Sequence, residues 1–162
     1  MVIALNRILV PTDFSTASDA AVQYGIALAE AFHASLCLLH VAVRHELQII
    51  VERQLVIDRF LNEPATTGHH NVARELFSNV LTSDQERGLR AEYVVRASGV
   101  GGPYAEIVRY AKERSVDLIV MGTHGRGFMT HMLMGSVAEK VVRRSPCPVL
   151  TVRNPEHEFV TP

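Results

Sequence analysis

The run Leu36-Cys-Leu-Leu-His-Val-Ala-Val43 is apolar at every position but one. A strand with one wet face alternates apolar and polar residues, whereas a near-continuous run needs cover on both faces, as in a parallel sheet between helical layers. Four further short segments read as strands: residues 7–11, ending at Pro11, then Ala91-Glu-Tyr-Val-Val-Arg96, Leu118 to Met121, and Val149 to Val152. Helical periodicity lies between them. Ala20, Ala21, Tyr24, Ala27, Leu28 and Ala31 recur at helical spacing behind Ser15, a residue able to cap the helix. Val72, Ala73, Leu76, Phe77 and Val80 predict a second long helix. Tyr104, Ile107, Val108 and Ala111 predict a third, with Pro103 suited to its first position, and Val137 and Val141 mark a fourth. Strands alternating with helices predict the α/β class, an open five-stranded parallel sheet with helices on both faces.

A chain of 162 residues is in the usual range for one domain, so residues 1–162 are expected to share a single core. Leu47, Ile50, Val51 and Leu55 at helical spacing, followed by Asn62-Glu-Pro-Ala-Thr-Thr-Gly68, lengthen the second crossover. We read residues 44–68 as an inserted helix and mobile loop near the mouth of any site, and residues 154–162 as a C-terminal tail. Sixteen basic and seventeen acidic residues give a net charge of −1, so nothing global attracts nucleic acid or an anionic bilayer. The segment before the first strand is too short for a signal peptide, and no apolar run approaches the roughly 20 residues of a membrane span. A cytoplasmic protein without membrane insertion is the expectation. Cys37 and Cys147 form neither a disulfide framework nor a metal-ligand spacing, and read as small, partly buried residues.

The segment from Gly122 to Ser136 carries the chemistry. It follows the apolar run Leu118-Ile-Val-Met121 and leads into the helix at Val137. Glycines there let backbone N–H groups approach phosphate oxygens, and a helix N-terminus adds unpaired donors and partial positive charge. A P-loop is excluded, because no Lys followed by Ser or Thr follows the last glycine. The dinucleotide fingerprint sits after the first strand with an acidic residue about 20 positions on, and this loop comes late in the chain. What remains is Gly-x-x-Gly, nine residues, then Gly-Ser, spanning Gly122, Gly125, Gly135 and Ser136.

That pattern resembles the signature of ATP-binding members of the universal stress protein family. The likeness includes Ile8-Leu-Val-Pro11-Thr-Asp13-Phe-Ser15 near the start and Ala111-Lys-Glu-Arg-Ser-Val-Asp117-Leu-Ile-Val-Met-Gly122 before the loop. It closes with Val141-Val-Arg-Arg-Ser-Pro146-Cys-Pro148-Val-Leu-Thr-Val152, and only residues 44–90 lack family wording. The resemblance implies a Rossmann-like sheet of strand order 3-2-1-4-5. It also implies a stress-response regulator that binds ATP or a related adenine nucleotide, with AMP, ADP or a cyclic nucleotide as variants and Mg or Mn arriving through the phosphates. With that order, the site lies beyond the carboxyl ends of strands one and four, where successive connections diverge.

Roles follow for single residues. Gly125, Gly127, Gly135 and Ser136 would cradle phosphates, with Ser136 also capping the last helix. Gly122 would let the chain turn close to the ribose, followed in the loop by Thr123. Asp13 offers an acceptor-only carboxylate to ribose hydroxyls or the adenine amino group, or else caps the first helix. Val41 matches the family position whose backbone meets adenine, or is a plain core valine. Pro11, Thr12 and Val137 carry over as walls. His124 and Arg126 touch phosphate or face water. The adjacent His69 and His70 point in different directions on a helix and cannot chelate together. Met129, His131, Met132 and Met134 form a flap over the nucleotide, a surface for a partner, or gap-filling contacts. Arg143 and Arg144 suit a helix C-terminus without any ligand.

No general base, paired-carboxylate site, Gly-x-Ser-x-Gly elbow or Cys-His arrangement is recognisable. The expected activity is therefore binding, with nucleotide-dependent conformation or choice of an unknown protein partner as the output. A nucleotide-free dimeric scaffold and a slow ATP hydrolase or autokinase are the alternatives. Residues 149–152 would form an edge strand, through which the family resemblance implies a homodimer.

Overall fold

The computed structural model describes residues 3–43, 46, 49, 73–78, 80–124 and 134–153. In chain order its elements are β1 (Arg7–Pro11), α1 (Thr16–Phe32), β2 (Ser35–Ala42), α2 (Ser83–Gly88), β3 (Glu92–Ala97), α3 (Pro103–Glu113), β4 (Leu118–Gly122), α4 (Ser136–Arg144) and β5 (Val149–Val152). The five strands form one sheet in the order β3-β2-β1-β4-β5, and every neighbouring pair is parallel. Both the class and the order agree with the sequence expectation.

The near-continuous apolar strands are explained by a two-sided core. Ile8, Val10, Leu36, Leu38 and Val120 join α1 residues Ala21, Val22, Ile26 and Ala29 in one cluster. The alternate residues Leu9, Cys37, Leu39, Ile119 and Met121 join Ile107, Tyr110 and Ala111 of α3 and Ala138 and Val141 of α4 in the other. Strand side chains alternate between faces, so both sets are buried when helices cover both sides. Gly25 permits the close seating of α1: a Cβ there would stand 2.4 Å from Val10 Cγ2.

Helix limits follow local chemistry. Ser15 is the N-cap of α1, its hydroxyl accepting from the Ser18 N–H, and His33 closes the helix in a left-handed conformation at φ 54°. Pro103 begins α3, where its missing N–H costs nothing. The second long helix expected from Val72 to Val80 is shorter at its described end. Residues 73–76 are helical, the chain then turns, and Val72 lies outside the described residues. A separate helix, α2, follows because Thr82 and Gln85 form a capping box, each side chain serving the other's backbone. Apolar spacing alone misses that boundary. Of the insertion expected at 44–68, Glu46 and Ile49 are helical and the remainder lies outside the described residues. The same holds for His69, His70 and the tail 154–162. No described helix is long and apolar enough to cross a membrane.

At the amino ends of the strands, the Asp117 carboxylate accepts the N–H groups of Asn6 and Arg7 at 2.8 and 2.9 Å. It fastens the start of β1 to the start of β4. The crossovers then diverge: the α1 connection leads from β1 to β2, and the α3 connection carries the chain from β3 to β4 on the other side of β1.

Candidate functional site

Where the connections diverge, a cavity of about 410 Å³ opens at the carboxyl ends of β1, β2 and β4. Pro11, Thr12 and Asp13 line it from β1, Val41 from β2, and Gly122, Thr123 and His124 from β4. Gly135, Ser136 and Val137 close it from the start of α4. Ten residues singled out in the sequence thus meet on one cavity. Gly125, Arg126 and Gly127 lie outside the described residues, as do Met129, His131 and Met132, whereas Met134 packs against the α3–α4 core.

Pro11 helps the crevice to form. The Thr12 N–H bonds the Leu39 carbonyl at 2.9 Å, so by alternation the main-chain nitrogen of Pro11 faces β4 and has no hydrogen to donate. Pairing of β1 with β4 is recorded only at Ile8 and Leu9, and the strands are free to part above it.

The same alternation defines Val41. Leu39 directs its carbonyl towards β1 and Ala42 directs its carbonyl to the Ser98 N–H beyond β3. Val41 therefore turns its N–H and C=O towards β1, past Pro11, the last residue of β1 paired with β2. A donor and an acceptor, side by side, face the cavity without a sheet partner among the described residues.

Asp13 is not the helix cap. Its Oδ1 accepts the Ser15 N–H at 3.1 Å and the Ser15 hydroxyl at 2.6 Å, orienting the residue that does cap α1. Thr12, 7 % exposed, exchanges a hydroxyl contact with buried Ser18 at 2.9 Å and accepts the Phe14 N–H at 3.0 Å. Phe14 is thereby held at φ 59°, a conformation unusual for an aromatic residue, with its ring 4.7 Å from His40 and 5.1 Å from Phe77.

Two further expectations need correction. Gly122, though it lines the cavity, is the last residue of β4 rather than part of a turn, and a Cβ there would meet the Ala17 carbonyl oxygen at 2.8 Å. Its small size serves the approach of α1 to β4. Ser136 does not cap α4: Gly135 is the N-cap, with no side-chain cap bond, and Ser136 is an exposed first helical residue. The Gly135 N–H instead bonds the Thr123 carbonyl at 2.7 Å, joining the two ends of the loop. The first helical bond runs from the Glu139 N–H to the Gly135 carbonyl at 3.0 Å, which leaves the N–H groups of residues 136–138 without helical acceptors. A helix start without a side-chain cap thus faces the cavity, suited to an anion. His124 Nδ1 and Thr123 Oγ1 are 3.0 Å apart beside it.

Among the lining residues that sequence reasoning missed are Ser18, His40, Val43, Glu46, Pro103 and Ile107. His40 carried a signal, being the polar exception in the apolar run; the others lie on helices and connections whose approach depends on tertiary packing. Among the described residues no cluster of His, Cys, Asp and Glu is arranged to hold a metal.

The universal stress protein family model matches residues 4–153. The chain is 33% identical to the universal stress protein YxiE of Bacillus subtilis, over 91% of this chain and 99% of that one. The solved structure of MJ0577, a protein of Methanocaldococcus jannaschii, superposes with a TM-score of 0.64 at 26% identity, covering 96% of this chain and all of that one. A universal stress protein solved in complex with cAMP shares the fold, with a TM-score of 0.60 at 24% identity over 94% of this chain and 100% of that one. With the family model spanning nearly its whole length, the chain belongs to the universal stress protein family.

Proposed function

We propose that the switch-point cavity binds ATP or a closely related adenine nucleotide, and that the protein is a cytoplasmic, single-domain regulator whose partner choice follows nucleotide occupancy. The carrying observation is the pairing of two unlike ends in one cavity. At β2 the Val41 main chain offers an adjacent donor and acceptor. At α4 the helix start offers N–H groups to an anion. Adenine presents a ring acceptor beside an amino donor, and the first end matches it; the second matches phosphate. The volume of about 410 Å³ is in the range of small-molecule sites, about 300–1,000 Å³.

In this reading Asp13 stands at the ribose, Pro11, Thr12 and Val137 form walls, and His124 lies beside the phosphates. Gly125, Arg126 and Gly127 complete the phosphate loop. A divalent cation, when present, is held mainly by the phosphates. Two copies associate through β5, one of the two outer strands of the sheet.

The test is to purify the protein, denature it and identify released nucleotide by mass, with a Gly135→Val, Ser136→Ala variant in parallel. A Cβ at Gly135 would lie 3.2 Å from the Thr123 carbonyl oxygen, so valine crowds the loop. Near-stoichiometric ATP or ADP from the parent and none from the variant supports the reading. Release of AMP or a cyclic nucleotide changes the ligand. No released nucleotide, together with no binding of added ATP, overturns it in favour of a dimeric scaffold.

A further inference from the structure

His40 is 4 % exposed and stands on the cavity wall. Its Nδ1 lies 2.9 Å from the Thr12 carbonyl oxygen. A carbonyl only accepts, so Nδ1 carries the hydrogen and donates it. In a neutral ring Nε2 then presents a lone pair. Yet Nε2 faces Glu46 Oε2 at 3.6 Å, within ion-pair range, and an ionised carboxylate also presents only lone pairs. Two acceptors turned on one another repel, and the side chains are only 5 % and 24 % exposed. A proton taken up from solvent at Nε2 turns the contact into an imidazolium–carboxylate attraction. The same Glu46 oxygen accepts the Val43 N–H at 3.1 Å, which ties residue 46 to the end of the strand that carries Val41.

Among the described residues, the loop after β1 contributes the Phe14 ring and, farther along the cavity wall, the Asp13 carboxylate, whose Oδ1 accepts from Ser15. On β3 the partner in register is Val95; two residues earlier the Tyr93 hydroxyl donates to Glu86, whose other oxygen meets Arg74. α1 brings Ser18 to the cavity and leaves Asp19 exposed. Among the described residues, Glu46 is the ionisable group recorded at ion-pair distance from His40.

We propose that His40 and Glu46 form a proton-operated latch at the mouth of the cavity. With the proton bound, Glu46 is held against the end of β2 and a nucleotide is retained. As pH rises and the proton leaves, the latch releases and the ligand exchanges faster. The proposal rests on the nucleotide reading for its ligand, whereas the latch itself belongs to the empty protein.

Two readouts test it between pH 5 and 8, the range in which imidazoles usually titrate. The first is hydrogen-exchange protection of the Val43 amide in ligand-free protein, with the His40 ring followed by NMR. Protection is expected at the acid end and lost as the ring deprotonates. In His40→Asn, which keeps a donor for Thr12 but has no counterpart of Nε2, protection should be low throughout. In Glu46→Gln, whose amide can donate to the neutral ring, it should not vary with pH. The second readout is ATP affinity, expected to be about tenfold tighter at pH 5.5 than at pH 8, chiefly through slower dissociation. The His40→Asn variant should retain only the part due to protonation of ATP itself. The latch is overturned if the ring titrates while Val43 protection stays constant, or if protection in His40→Asn equals that of the parent. Absence of ATP binding at every pH would count against the nucleotide reading alone, and Val43 protection would still decide the latch.

Discussion

Gly122 and Cys37 separate what a residue does for packing from what it does for a ligand. Gly122 belongs to the glycine signature, yet the nearest atom to a Cβ there is the Ala17 carbonyl oxygen, 2.8 Å away. Backbone of a packed helix cannot turn aside as a flexible side chain can. Gly122→Ala is therefore expected to lower unfolding stability by about 1–3 kcal/mol in urea denaturation. Unchanged stability would refute the packing role. Cys37 is buried, with its Sγ 3.2 Å from the Tyr110 hydroxyl. Burial is the main cause that pushes its thiol up from 9.0 to about 12, with the Tyr110 contact opposing. The folded protein then keeps a proton that the unfolded chain loses above pH 9. Cys37 accordingly favours the folded state fully below pH 9, and its contribution falls as pH rises through about 12. Cys37→Ala should show a shallower loss of stability between pH 9 and 12. At pH 8 iodoacetamide should modify the half-buried Cys147 before Cys37, as read by peptide mass mapping.

Among the elements, the strands were legible because sheet burial on both faces leaves an almost uninterrupted apolar word, and the helices because their buried faces repeat. The division of residues 73–88 into a helical turn and a separate α2 was less legible, since it depends on the Thr82–Gln85 capping box and not on apolar spacing. The cap assigned to Ser136, and the alternative of a cap at Asp13, fail for a related reason. Capping is decided by which residue leaves helical geometry, and that falls to Ser15 and Gly135. Asp117 illustrates a motif residue serving the elements. It lies at the amino ends of the strands, opposite the cavity, and holds β1 through two N–H groups. Asp117→Ala should cost about 1–3 kcal/mol of stability and leave nucleotide affinity within about twofold, measured by denaturation and by calorimetric titration. A large affinity loss at unchanged stability would contradict this division of labour.

At the scale of the molecule, the strand order came from family resemblance, because hydrophobic periodicity says nothing about which strands are neighbours. The order is what brings β1 and β4 together and creates the cavity, while Val41's exposed main chain depends on β1 ending before β2 does. The proposed dimer belongs to the same scale. Pro148 and Val152 direct their carbonyls to β4, so Thr151 turns its main chain outward from the sheet. Thr151→Pro removes an outward donor while sparing the β4 ladder. It is expected to convert a dimer to monomer in sedimentation, with the circular dichroism spectrum retained.

The most direct measurement for the central claim is a backbone amide NMR titration of the ligand-free protein with ATP. The account predicts that Val41, at the end of β2, and Ser136 to Ala138, at the start of α4, shift together with one dissociation constant, while α2 and the Asp117 clasp stay still. Saturable binding that moves other amides and leaves both of these groups unchanged would contradict a nucleotide site at the sheet's switch point.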